Sequence, residues 1–232
     1  MFSLDDYFHK GFTTLDIEPT MYNQFLSMME EEDYTLEVAN DKVENIFSPC
    51  WDGPIAHRTS DYYLNCTRYN DLLSSLIQSR KEFTFWKTLY GSFDNYNIMI
   101  NKVLGKNSIP WHWDGFDSSF MQILVYGGEL PNGIFRVAKV DKCTTSSNTQ
   151  IPHYYPEEYF DRISKEAVFE EVYEIEPKPN EVIILNNMNP LFVHHGLDYF
   201  QKDTSRYVLM CGCGFSYNFI NNALIHGAEV FD

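Results

Sequence analysis

Apolar and polar positions change their spacing along this chain, and the change divides it in two. Over residues 17–33, Met21, Phe25, Leu26 and Met29 fall at helical spacing behind Pro19 and Thr20, which predicts an amphipathic helix starting near Thr20. Leu72, Leu73, Leu76 and Ile77 predict a second helix over about 70–85. Between them, residues 40–67 hold Pro49, Gly53 and Pro54 among short apolar runs of no sustained period, which reads as loop with one strand at Tyr62–Cys66. From Asn95 onward the runs YNIMINKVLG, SFMQILVYGG, GIFRVAKVDK, NEVIILNN and SRYVLMCGCGF are short and punctuated by Gly, Pro, Asn and Asp, and each reads as a strand.

Strands gathered behind helices predict a mainly β fold, a double-stranded β-helix (jelly roll, cupin-like) with an amino-terminal helical layer. The expected organisation is one domain over 1–232, with a helical layer at about 1–90 and a β-helix core at about 95–220. An insertion at about 143–171, polar at first and then carrying EEYFDRISKEAVFEEV as its own helix, is expected to cover a mouth and set substrate selectivity.

Composition sharpens this reading. Phe (18 copies) and Tyr (16 copies) supply most of a 16% aromatic share, which suits sandwiches and barrels better than slender bundles. Against 33 acidic residues stand 17 basic ones, a net charge of −16 that argues against holding nucleic acid by its phosphates. No run is long and apolar enough for a membrane span, and MFSLDDYFHKGF has acids where a leader peptide has bases, so a cytoplasmic setting is expected. Cys50, Cys66, Cys143, Cys211 and Cys213 do not make a disulfide framework and read as reduced thiols.

The sharpest chemical feature is WHWDG, in which His112 and Asp114 share a face of extended chain. An imidazole and a carboxylate side by side need one more histidine to hold Fe(II) or Mn(II). His194 and His195 follow a strand and a turn, and in extended chain only one of them can face Asp114. Arg206 stands eleven residues after His195 on the next strand, with a fork of donors matched to a carboxylate.

In this order of residues the chain resembles the Fe(II)/2-oxoglutarate-dependent dioxygenases over roughly Ile98–Phe215. The prolyl-hydroxylase-like branch is more similar than the nucleic-acid demethylase branch, whose second downstream arginine is replaced near Gly212. The resemblance implies that His112, Asp114 and His195 ligate iron, and that Arg206 pairs with the distal carboxylate of 2-oxoglutarate. His195 is preferred to His194 because Gly-Leu follows it. Asn101, eleven positions before the first ligand, is implied as a hydrogen-bond partner of the cosubstrate; Val103 stands where the family has an aromatic residue. The implied activity is hydroxylation of a peptidyl or small-molecule substrate by dioxygen, with decarboxylation of 2-oxoglutarate to succinate.

Two other readings stay open: a cupin-like metalloprotein that does not use 2-oxoglutarate, and a non-catalytic jelly-roll binding or structural module. Elsewhere the bland readings are preferred. Cys211 and Cys213 read as core, Trp111 and Trp113 as packing, Arg136 as a substrate-side cation or an exposed strand residue, and the acids at 30–33 as a solvated helix end. His153 reads as a surface residue, and His9, His57 and His226 have no partner pattern.

Overall fold

Ser3 opens the first helix, α1 (Leu4–His9), by accepting a hydrogen bond from the Asp6 N–H at 3.1 Å, while its own N–H donates to Thr13 Oγ1 at 2.9 Å. This computed structural model describes residues 2–31, 34–37, 55–58, 67–84, 95–104, 111, 121–129, 133–141, 168–187, 189, 191–199 and 205–214. Gly11, at φ +82°, turns the chain out of α1 into β1 (Phe12–Asp16). Helix α2 (Pro19–Glu30) starts with Pro19 in its first turn and buries Tyr22, Phe25 and Met29, as its spacing predicts. Its acidic end, Glu30 and Glu31, is exposed. The second expected helix is α3 (Thr67–Ser79), burying Tyr69, Leu73, Leu76 and Ile77, and it is followed by a 3-10 turn at Lys81–Phe83 that buries Phe83.

The remaining strands are β2 (Tyr34–Glu37), β3 (Ile55–Arg58), β4 (Asn95–Leu104), β5 (Met121–Gly128), β6 (Gly133–Val140), β7 (Phe169–Ile175), β8 (Glu181–Asn186), β9 (Phe192–Tyr199) and β10 (Ser205–Gly214). They form two antiparallel sheets, a seven-stranded one in the order β1-β8-β5-β10-β4-β3-β2 and a three-stranded one in the order β7-β6-β9. This is the jelly roll with flanking helices that the strand pattern predicts. The expected strand at Tyr62–Cys66 lies outside the described residues, and the strand found in that stretch is β3. The end of the expected insertion is β7, whose acidic, largely exposed residues disguise it.

Alternation along the strands sorts three apolar layers. Ile98, Ile100, Ile123, Val125, Val182, Ile184, Leu209, Cys211 and Cys213 face α2 and α3. Leu124, Tyr126, Ile183, Leu185 and Val208 point the other way, to meet Phe135, Val137, Ile175 and Phe192 of the smaller sheet. Both faces of β5 are therefore buried, which is why its sequence is a continuous apolar run. On the outer face of the smaller sheet, Ala138, Val140 and Val193 are covered by Trp111 and Phe169. Cys211 and Cys213 are buried free thiols, as read from the sequence. Among the described residues, no helix is long and apolar enough to cross a membrane.

Candidate active site

Strand β10 lies in the middle of the seven-stranded sheet, paired with β4 on one side and β5 on the other. Its even-numbered positions 206, 208 and 210 face the smaller sheet, since Val208 and Met210 belong to the layer between the sheets. Arg206 is the charged member of this row, and it is 1% exposed. Directly opposite it stands Gly128, at φ +92°, which puts no side chain in the way of the guanidinium.

Two residue pairs along the ladder, Val208 lies opposite Tyr126, and the Arg206 guanidinium carbon is 5.9 Å from the centre of the Tyr126 ring. Burial pushes the Tyr126 phenol well above its ordinary value, while the positive charge of Arg206 pulls the other way. At neutral pH Tyr126 is thus a protonated hydroxyl beside a cation. Tyr22 of α2 fixes this strand from behind, donating to the Tyr126 carbonyl at 2.9 Å.

From Tyr126 the aromatic contacts lead to the other sheet. Its ring lies 6.5 Å from Phe135, and Phe135 lies 6.3 Å from the imidazole of His194. His194 is 3% exposed and pairs with Val137, whose side chain is in the inter-sheet layer. Arg206 and His194 therefore stand on the two walls of one interior, joined by two rings.

The register places Arg206, Asn101 and the 194–195 pair among the residues expected from the sequence. Asn101 on β4 is opposite Val208, which puts its position on the same face as Arg206. His195, the histidine preferred from sequence, is opposite Arg136, which pairs with Glu174 at 3.0 Å. That register position belongs to the outer face, whereas the adjacent position 194 faces inward. Arg136 is thus the partly exposed strand residue of the two readings offered for it.

His112 and Asp114 lie outside the described residues. Their neighbour Trp111 packs on the outer face against Ala138, Val140 and Val193, with its ring 4.9 Å from Phe169. Among the described residues, no three of His, Cys, Asp or Glu gather as a metal site. His9 is itself exposed on α1, beside Asp5. Tyr126 and Phe135 were not singled out from the sequence; the available signal was the shared parity of 206, 208 and the residues opposite them.

Comparison with known proteins bears on this arrangement. No protein-family model and no curated protein matches the sequence. Solved structures do match the fold. An oxidoreductase of the 2OG-Fe(II) oxygenase family from Burkholderia pseudomallei aligns over 90% of this chain and 89% of its own, at 12% identity and a TM-score of 0.52. A prolyl-4-hydroxylase from Pseudomonas putida aligns over 91% and 96%, again at 12% identity and a TM-score of 0.52. HygX from Streptomyces hygroscopicus, solved with nickel and 2-oxoglutarate bound, aligns over 94% and 89% at 10% identity and a TM-score of 0.50.

Proposed function

We propose that this chain, which has the fold of the 2OG-Fe(II) oxygenases, is itself an Fe(II)- and 2-oxoglutarate-dependent hydroxylase. The observation that carries the reading is the buried Arg206 guanidinium facing the same interior as His194. A planar fork of donors in an apolar layer is the arrangement that recognises a carboxylate bidentately, and an imidazole across the same space suits a divalent metal.

Arg206 binds the distal carboxylate of 2-oxoglutarate, and the protonated phenol of Tyr126 stands beside it as a further donor. Asn101, in the ladder row of Tyr126, adds an amide to the same cosubstrate. The metal is held by His112, Asp114 and one histidine of the 194–195 pair. His195 is the choice made from the Gly-Leu that follows it; the register favours His194, whose ring already occupies the interior. Iron bound there with 2-oxoglutarate supplies activation of dioxygen and oxidation of a C–H bond, coupled to loss of carbon dioxide and release of succinate. Phe135, Val137, Leu124 and Val208 keep water from this space, which strengthens every charge interaction within it.

The substrate we propose is a peptide or small molecule, because a chain of net charge −16 has little general attraction for phosphate. Residues of the expected insertion at 143–171 are proposed to select it. The test is anaerobic addition of Fe(II) with and without 2-oxoglutarate, watching for the visible charge-transfer band of the bidentate complex. A band that vanishes in His112→Ala and weakens in Arg206→Ala supports the proposal. Bound metal without a band leaves the cupin-like reading; no bound metal leaves the structural module.

A further inference from the structure

Strand β10 carries a group of sulfur atoms on the face turned away from Arg206. Cys211 and Cys213 are both fully buried there, in the apolar layer beneath the helices, and their Sγ atoms stand 4.0 Å apart. Positions two apart in a strand are separated by about 6.8 Å along the ladder, so the two thiols lean towards each other. Directly opposite Cys213 on β5 is Met121, buried in the same layer. Residues so paired have Cβ atoms about 4.5–5.5 Å apart, within reach of a long, adaptable thioether side chain. The residues opposite Cys211 are Ile98 and Ile123, both apolar. Asn186, opposite Met121 on its other side, donates its amide to the Tyr7 carbonyl of α1 at 3.2 Å. A disulfide needs Cβ atoms about 3.5–4.5 Å apart, closer than two positions of one extended strand come. Two sulfurs bound to one ion at about 2.3 Å and 120°, in contrast, stand about 4.0 Å apart.

We propose that Cys211, Cys213 and Met121 form a three-sulfur site for Cu(I), in the wall behind the candidate active site and independent of it. Thiolate and thioether donors select this soft monovalent ion, whereas Zn(II) takes four ligands and Mn(II) takes oxygen donors. Entry of one Cu(I) with release of one thiol proton to solvent leaves the layer uncharged, as an apolar surrounding requires. Burial pushes the Cys211 thiol up, so the ion competes with a firmly held proton and is bound more tightly as pH rises.

The test is anaerobic titration of Cu(I) into the full chain against a coloured Cu(I) chelator, with X-ray absorption at the copper edge. Expected is one Cu(I) per chain with three sulfur neighbours, bound about tenfold more tightly for each pH unit from about pH 6 to 8. The same uptake is expected when Cys50, Cys66 and Cys143 are all replaced by Ala, since none of them belongs to the site. Cys211→Ala is expected to lose about 100-fold or more in affinity, and Met121→Leu about tenfold, with two sulfur neighbours left. Leu conserves the volume of Met, so Met121→Leu probes the site without opening the core. No uptake by the wild type, nitrogen or oxygen neighbours around its copper, or loss of uptake in the triple variant overturns the inference. So does a Met121→Leu protein that keeps wild-type affinity and three sulfurs. Should Cys211→Ala melt early, the wild-type spectrum and Met121→Leu decide.

Discussion

Removing the charge of Arg206 and removing its shape have different consequences. A buried guanidinium is expensive to desolvate, and its planar fork of donors matches a carboxylate as no other cationic side chain does. Arg206→Met, which keeps neither charge nor fork, is therefore expected to lose about 10- to 100-fold in 2-oxoglutarate affinity. Arg206→Lys keeps the charge but not the fork, and is expected to weaken binding about tenfold. Calorimetry together with thermal melts separates these effects; equal cosubstrate affinity in all three proteins would remove Arg206 from the site.

The two histidines give a second test at this scale. Mn(II) affinity is expected to collapse in His194→Ala and to survive in His195→Ala, and the reverse result would restore the choice made from the Gly-Leu that follows His195. The pair itself was legible in the sequence. Which member faces inward was not, because a shift of one residue in register reverses every side chain of a strand.

At the scale of elements, β9 is held from below by the turn after α1. A Cβ on Gly11 would lie 2.5 Å from Phe192 Cγ, and the backbone there has φ +82°. Gly11→Ala is expected to cost about 1–3 kcal/mol in urea unfolding, from left-handed strain and from displacement of Phe192. Because Phe192 precedes His194 by two positions on β9, amide exchange should quicken in β9 more than in β4.

The fold was read from the sequence where elements bury a regular pattern and missed where they do not. The runs β4, β5, β6, β8 and β10 have enough apolar residues to declare themselves, and so do α2 and α3. Strands β2 and β3 have four residues each, too few for a period to emerge. In β7 the sequence FEEVYEI is mostly exposed, with Lys139 pairing Glu170 and Arg136 pairing Glu174 across from β6. An acidic strand of that kind resembles the outside of a helix. Of the proposed site, Arg206 and Asn101 were named from the order of residues and the resemblance it carries, and the register puts both positions on the face between the sheets. Tyr126 became visible only once pairing brought β5 against β10, since nothing in its local sequence distinguishes it from packing.

For the molecule as a whole, charge and burial predict opposite responses to solution conditions. A net charge of −16 repels itself in the compact state, so raising sodium chloride from about 0.01 to 0.15 M should raise the melting temperature as the Debye length shortens. Alkali should do the reverse. Burial lifts the phenols of Tyr22 and Tyr126 above the ordinary value of 10.0. Their contribution is whole below pH 10, where folded and unfolded phenols are both neutral, and drains away as pH climbs from 10 towards the folded values. Urea midpoints should fall over that window, and Tyr126→Phe should flatten the fall; an unchanged slope would detach Tyr126 from it.

The two walls of the interior are not equally firm. β10 is laced to β4 along ten residue pairs and to β5 along eight, whereas β9, among the described residues, is joined to β6 alone through an irregular register. A metal ion gripping His194 together with His112 and Asp114 would act as a rivet for the looser wall. Its uptake would then be a late folding event, adding stability that grows with the logarithm of free metal. Stripping the ion with a chelator should leave β10 intact and expose β9 to limited proteolysis, so that metal supply would govern the lifetime of the protein as well as its turnover.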